Sequence, residues 1–570
     1  MEAIFSSIGL RRFLHRPAGR APKWSKETVN QDVLNASYAV RGPVLDLAMK
    51  MEERLRSGES LPFKEMIYCN IGNPQSLQQK PLTFVRQVLS LVTNPLLLEK
   101  HSDLFPSDAV ARAQKYLGAH PMGAYSNSQG IKTVREEVAA FIGKRDQTFS
   151  PDPDAIFLIN GASEGVRYGL QSLLRPRLAG YHDGVLVPIP QYPLYSALTT
   201  LLNGELVPYY LREEEGWTLE VGDLEEALKQ ARARGVTVRG LVVINPGNPT
   251  GQLLSRANME KIIEFCVQEN LVLMADEVYQ TNIYVDDRGF LSFRKVAVDM
   301  GYPPDAGPEE QGMNKKHLQL VSFHSVSKGF MGECGLRGGY MELFGIPPGV
   351  KAQLYKLASI SLCSNTIGQV VTGLMVHPPE EGSPSFPTYE GERTATLASL
   401  RRRAQKLTAG LGNLEGVSVQ PSTGAMYSFP RLSLPPAFHA EAVKQGAKAD
   451  ELYCIRLVEA TGIVVVPGSG FGQVDGSWHF RTTFLPPEDK MDSVMERLGK
   501  FHKELLDAYR GTRDTHKAFA QEIILGLERL NAWHRKLNQY MCLMCSSCYY
   551  VITERCQVTS AYVTMVSFKA

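Results

Sequence analysis

Between residues 156 and 343 the chain alternates short apolar runs with longer stretches of helical periodicity, and this pattern constrains the fold most. The candidate strands are 156–159, 185–189, 206–211, 241–245, 271–275, 318–323 and 339–343. Several are apolar throughout, as expected of strands covered on both faces. Helical patterns at 163–174, 194–202, 223–234 and 257–269 separate them. Strand, helix, strand, repeated, predicts an α/β fold with a mostly parallel sheet between helices. No internal repeat of 20–50 residues is present, which excludes solenoids and propellers.

The chain has 570 residues, too many for one ordinary core, so two or three structural units are expected. Polar clusters interrupt the pattern at 303–316 and 378–387, and the second marks an expected domain boundary. Beyond it, 388–412 reads as a long helix. Segments 417–420, 425–429, 463–466 and 478–484 read as short strands of a smaller α+β domain. The expected division is a leader at 1–30, an arm with part of the small domain at 31–100, a large domain at 101–380, a small domain at 381–510 and a tail at 511–570.

Charge separates the body from the ends. Residues 1–30 hold six basic and two acidic side chains, and residues 511–570 hold seven and four. The remaining 48 basic and 53 acidic residues give the body a net charge of −5, with no footprint for nucleic acid. No run of about 18 uncharged apolar residues suggests a membrane span. Ile4, Phe5, Ile8, Leu10, Phe13 and Leu14 beside Arg11, Arg12 and Arg16 resemble a mitochondrial presequence, although Glu2 is out of keeping; a basic leader without an address is the alternative. The scattered body cysteines indicate a reduced intracellular protein. In the tail, an amphipathic helix around 519–540 precedes Cys542, Cys545 and Cys548; their spacing suggests a metal site or merely incidental cysteines.

The chemistry-bearing residues cluster at predicted strand ends, where open α/β sheets bind ligands. LVLMADEVY (271–279) closes an apolar strand with Asp276, which suits a protonated ring nitrogen or a helix cap, and Tyr279 offers a phenol nearby. SFHSVSKG (322–329) places Lys328 in a turn of small hydroxyl residues. It is either a solvated loop lysine or a Schiff-base amine. Ser325, Ser327 and Arg337 could hold a phosphate. NGASEG (160–165) is either a tight turn or an anion site at a helix N-terminus. INPGNPTG (244–251) makes a rigid turn that can aim Asn248 inward, and Tyr192 either stacks on a planar ring or packs in the core.

Taken together, these runs resemble the fold-type I pyridoxal-phosphate aminotransferases over about residues 40–509. PIPQYPLYSA, NPGNPTGQ, LMADEVYQ, HSVSKGFMGECGLRGGYME, VVPGSGFGQ and HFRTTFLPP are similar to the alanine aminotransferase group. The resemblance implies pyridoxal 5'-phosphate as cofactor and Lys328 as the amine joined to it. It implies Asp276 at the ring nitrogen, Tyr279 and Asn248 at the ring oxygen, and Tyr192 stacked on the ring. Ala162, Ser163, Ser325 and Arg337 would hold the phosphate, and Tyr125 would reach the neighbouring subunit's phosphate in a homodimer. Arg481, helped by Gly72, would clamp the substrate α-carboxylate. The implied substrates are L-alanine, 2-oxoglutarate, pyruvate and L-glutamate. A glyoxylate- or kynurenine-type aminotransferase and a non-catalytic relative are the alternatives. Val326 and the run 362–368 (LCSNTIG) depart from the family pattern.

Overall fold

Seven strands form the central sheet of the computed structural model, which describes residues 25–510 except 27, 39–41, 178–179 and 306–316. The leader before residue 25 and the cysteine-containing tail from 511 lie outside the described residues. The strands are β1 (Ile156–Leu158), β2 (Asp183–Ile189), β3 (Glu205–Tyr210), β4 (Thr237–Ile244), β5 (Val272–Asp276), β6 (Gln319–Ser325) and β7 (Gly339–Phe344). Their order across the sheet is β1-β7-β6-β5-β4-β2-β3. The neighbours from β6 to β3 pair in parallel, and only β7 runs antiparallel, between β6 and β1.

The apolar runs sort by parity onto two buried faces, as the two-residue period of a strand requires. Val242, Met274, Val321 and Phe323 face one cluster with Val166 and Leu170 of α1 (Ala162–Leu173) and Tyr195 of α2 (Leu194–Leu201). Leu241, Val243, Leu273, Ala275 and Leu320 face the other. There they meet Leu224 and Leu228 of α3 (Val221–Ala233) and Ile262 and Ile263 of α4 (Arg256–Glu269). Fully burying each such side chain contributes about 1.5–3 kcal/mol. α4 starts where the Ser255 hydroxyl accepts from the Asn258 amide, and it ends at Asn270 in the left-handed region.

Parallel pairing sends β4, β5 and β6 out of the sheet at one edge; Ile244 lies opposite Asp276, and Asp276 opposite Phe323. β7 enters at that same edge, with Gly339 opposite Ser325, so Arg337 arrives where Ser325 leaves. β1 runs parallel to β6 on the far side of β7, which brings the 160–165 turn to the same edge.

Phe386–Gly412 is the expected long helix. The later strands are shorter than their sequence runs: Val417–Ser418, Tyr427–Ser428, Ile463–Val464 and Phe480–Thr483. Sequence periodicity missed Ile67–Tyr68, only two residues long, which pairs in parallel with Ile463–Val464. The described chain divides into two compact units. One extends to Leu434 and includes Gln445–Lys503. The other joins Pro435–Lys444 to residues from Glu504 onward, and within it Phe438 meets Tyr509 with ring centroids 5.1 Å apart.

Candidate active site

A cavity of about 240 Å³ opens at the sheet edge where these loops meet. Gly72, Ala162, Ser163, Tyr192, Asn248, Asp276, Tyr279, Ser325, Lys328, Arg337 and Arg481 all line it. Tyr125 does not, and it is 76% exposed.

Asp276 ends β5 and is buried. Its Oδ2 accepts from the Tyr195 hydroxyl at 2.8 Å, whereas Oδ1 is buried without a hydrogen-bond partner among the described residues. Burial pushes the Asp276 carboxyl up to about 6, against the Tyr195 hydrogen bond and the Lys328 charge, which favour ionisation. A buried carboxylate oxygen left open beside a cavity fits a ligand N–H.

Lys328 follows β6 through the turn at 326–327. Its Nζ donates to the Gly72 carbonyl at 3.1 Å and lies 5.8 Å from the Tyr279 ring centroid. Gly72 has no room for a side chain: a Cβ there would overlap the Tyr427 hydroxyl and lie 3.2 Å from Lys328 Nζ. Tyr279 donates to the Tyr427 hydroxyl at 3.2 Å, with the rings edge-on at 5.9 Å. Burial alone would raise the Tyr427 phenol, but Lys328 and Arg481 outweigh it and hold the group below its ordinary value.

Arg481, on Phe480–Thr483, is 1% exposed. Its Nη1 donates to Asn248 Oδ1 at 3.1 Å, and Nη2 donates to the Asn70 carbonyl at 2.5 Å. The guanidinium lies 4.4 Å from the Tyr427 centroid and 4.6 Å from that of Phe471. Its Nε has no partner among the described residues. A buried guanidinium with an open donor calls for an anion.

At the other end, Arg337 Nη2 donates to the Asn160 carbonyl at 2.9 Å and to Ser163 Oγ at 3.3 Å. Arg337 itself adopts φ 50°, a left-handed conformation that costs roughly 1–2 kcal/mol in an L-residue. Gly161 (φ 79°) turns the chain into α1, and a Cβ on it would strike the Arg337 guanidinium at 2.5 Å. Ser325 Oγ donates to Ser327 Oγ at 3.0 Å and to the Gly338 carbonyl at 3.2 Å. Hydroxyls, a guanidinium and the α1 amides thus form an anion cradle.

Sequence reasoning missed Tyr195, Tyr427, Cys334 and Tyr38. Tyr195 sits three residues after Tyr192 on the following helix, which was the available signal. Tyr427 carries none, because its role depends on pairing between Tyr427–Ser428 and Phe480–Thr483. Cys334 Sγ donates to the Ser327 carbonyl at 3.1 Å. The Tyr38 hydroxyl meets that of Tyr192 at 2.8 Å.

Residues 86–498 match the model of aminotransferase class I and II. A probable mitochondrial alanine aminotransferase of Dictyostelium discoideum is 51% identical over 85% of this chain and 90% of its own length. Glutamate–glyoxylate aminotransferase 2 of Arabidopsis thaliana is 48% identical over 85% and 96%. The fold is also that of an Escherichia coli aminotransferase crystal structure, with TM-score 0.64, 24% identity, and coverage of 85% of this chain and all of that one. The sheet edge, the cavity and these matches agree, and the chain belongs to the class I and II aminotransferases.

Proposed function

We propose that the chain transfers the amino group of L-alanine to 2-oxoglutarate, reversibly, giving pyruvate and L-glutamate. The observation that carries this reading is one cavity flanked by the Lys328 amine, the open oxygen of Asp276 and the buried fork of Arg481. Alanine aminotransferases among the relatives, 51% identical in the Dictyostelium case, support the choice of substrates.

The cofactor is pyridoxal 5'-phosphate, which supplies a reactive aldehyde and a ring that accepts electrons from the substrate α-carbon. The residues present fit it: Asp276 Oδ1 lacks a partner, and the cradle at Gly161 has no room for a Cβ. Lys328 would hold the aldehyde, and its amine is the group that would take and return a substrate Cα proton. Asp276 would receive the ring N–H, and the Tyr195 hydrogen bond favours its ionised form. Tyr279 and Asn248 would hydrogen-bond the ring oxygen, and Tyr192 would lie against the ring. Ser163, Ser325, Arg337 and the Ala162 amide bind the phosphate. Arg481 receives the substrate α-carboxylate bidentately, beside the Gly72 backbone, and so orients the Cα–H bond.

The active form is a homodimer in which exposed Tyr125 serves the neighbouring subunit's phosphate. The leader directs the protein to mitochondria, as the mitochondrial relatives support. The division at about residue 380 separates a large cofactor-binding domain from a small one built on 31–100 and 381–510.

The test is a steady-state panel on purified holoenzyme. Alanine with 2-oxoglutarate should exceed every other pair in kcat/KM. Glyoxylate as preferred acceptor, suggested by the 48% identical relative, would replace the substrate assignment and leave the residue roles standing.

A further inference from the structure

A second hollow beside the sheet lies away from the active site. It encloses about 380 Å³ and is lined at the entry ends of β5 and β6 by Val272, Met274, Gln319 and Val321. Leu173, Val267, Met341 and Leu354 complete its apolar wall. The exposed lining residues Asn270 and Val350 mark its open side. The volume falls within the roughly 300–1,000 Å³ of small-molecule sites and exceeds that of the active-site cavity.

One cation lines this cavity directly. Arg239, half-buried on β4, forms no ion pair or hydrogen bond among the described residues. Asp183 feels its charge, but both Asp183 oxygens are engaged by Arg175, whose Nε and Nη2 each donate at 2.7 Å. A guanidinium with no ion pair among the described residues, beside an apolar wall, suits an anionic head, with the ligand's apolar body lying against Leu173, Met274 and Leu354. Gln319 and Asn270 add amide groups to the lining.

We propose that this cavity is a second ligand site, for a medium-length aliphatic monocarboxylate whose carboxylate pairs with Arg239. It is independent of the substrate assignment, because none of its lining residues belongs to the active site.

The probe is decanoate, titrated by calorimetry into full-length holoenzyme, with decan-1-ol as the uncharged control. Saturable one-site binding is expected, at least tenfold weaker for decan-1-ol. Arg239→Gln should weaken decanoate at least tenfold, and Arg239→Lys should restore most of the affinity. Leu354→Trp, which fills the cavity, should abolish binding while leaving the visible cofactor spectrum unchanged. Arg481→Gln should leave decanoate binding unaltered, since the substrate clamp is a separate carboxylate site. The proposal is overturned if wild-type holoenzyme fails to bind decanoate. Equal binding by Arg239→Gln also overturns it, as does loss of binding in Arg481→Gln with retention in Leu354→Trp.

Discussion

Replacing Tyr195 by Phe removes one hydroxyl and nothing else from the support of Asp276. Both residues are buried, and the lost bond is a 2.8 Å contact to a buried carboxylate. A hydrogen bond to a charged group contributes about 1.5–3 kcal/mol. At 1.36 kcal/mol per pKa unit, its loss moves the carboxyl up by roughly one to two units. In the cofactor-free protein Asp276 already titrates near 6, because burial penalises its charged form. Folding therefore takes up a proton here. The stabilisation is complete below the unfolded carboxyl's value near 4 and is lost as pH rises through 6. Tyr195→Phe should carry that loss to between about pH 7 and 8. The assay is the carboxylic C=O infrared band of cofactor-free protein, titrated from pH 4 to 9 and assigned by subtraction of Asp276→Asn. Cofactor affinity at pH 7 should fall together with the band shift. An unchanged midpoint with unchanged cofactor affinity would refute the claim that Tyr195 holds Asp276 ionised.

Other perturbations have equally definite outcomes. Gly72→Ala should cut kcat at least tenfold, because its Cβ would displace the Tyr427 hydroxyl beside Lys328; stopped-flow absorbance reads the slowed lysine step. Arg481→Lys should raise KM about a hundredfold for alanine and glutamate alike, since an ammonium cannot reproduce the planar fork; steady-state kinetics with each substrate checks this. Burial pushes Glu277 up to about 8, so wild-type stability should decline between about pH 4.5 and 8 relative to Glu277→Gln, as measured by urea unfolding.

Most of the sheet was legible because strands buried on both faces leave unbroken apolar runs, and the observed strands differ from those runs mainly at their ends. β4 starts at Thr237, earlier than its apolar run, because Thr237 and Arg239 lie at the open end of the sheet, where burial does not filter composition. The site residues on β-strand exits were legible for a related reason. Parallel topology gathers those exits at one edge, so polar residues that end apolar runs belong together. Tyr427 and Asn70 were not, because they reach Tyr279 and Arg481 only through pairings between short segments far apart in sequence. Tyr38 belongs to an arm whose local sequence has no periodicity, and only its contact with Tyr192 reveals its place.

The central claim is that one cavity serves both a three-carbon and a five-carbon amino acid. The most direct test adds alanine or glutamate singly, without any oxo acid, to holoenzyme and records the visible spectrum. Each should bleach the lysine-bound cofactor band and release a stoichiometric amount of pyruvate or 2-oxoglutarate. A band that persists with both amino acids, in folded protein that binds the cofactor, would contradict the account.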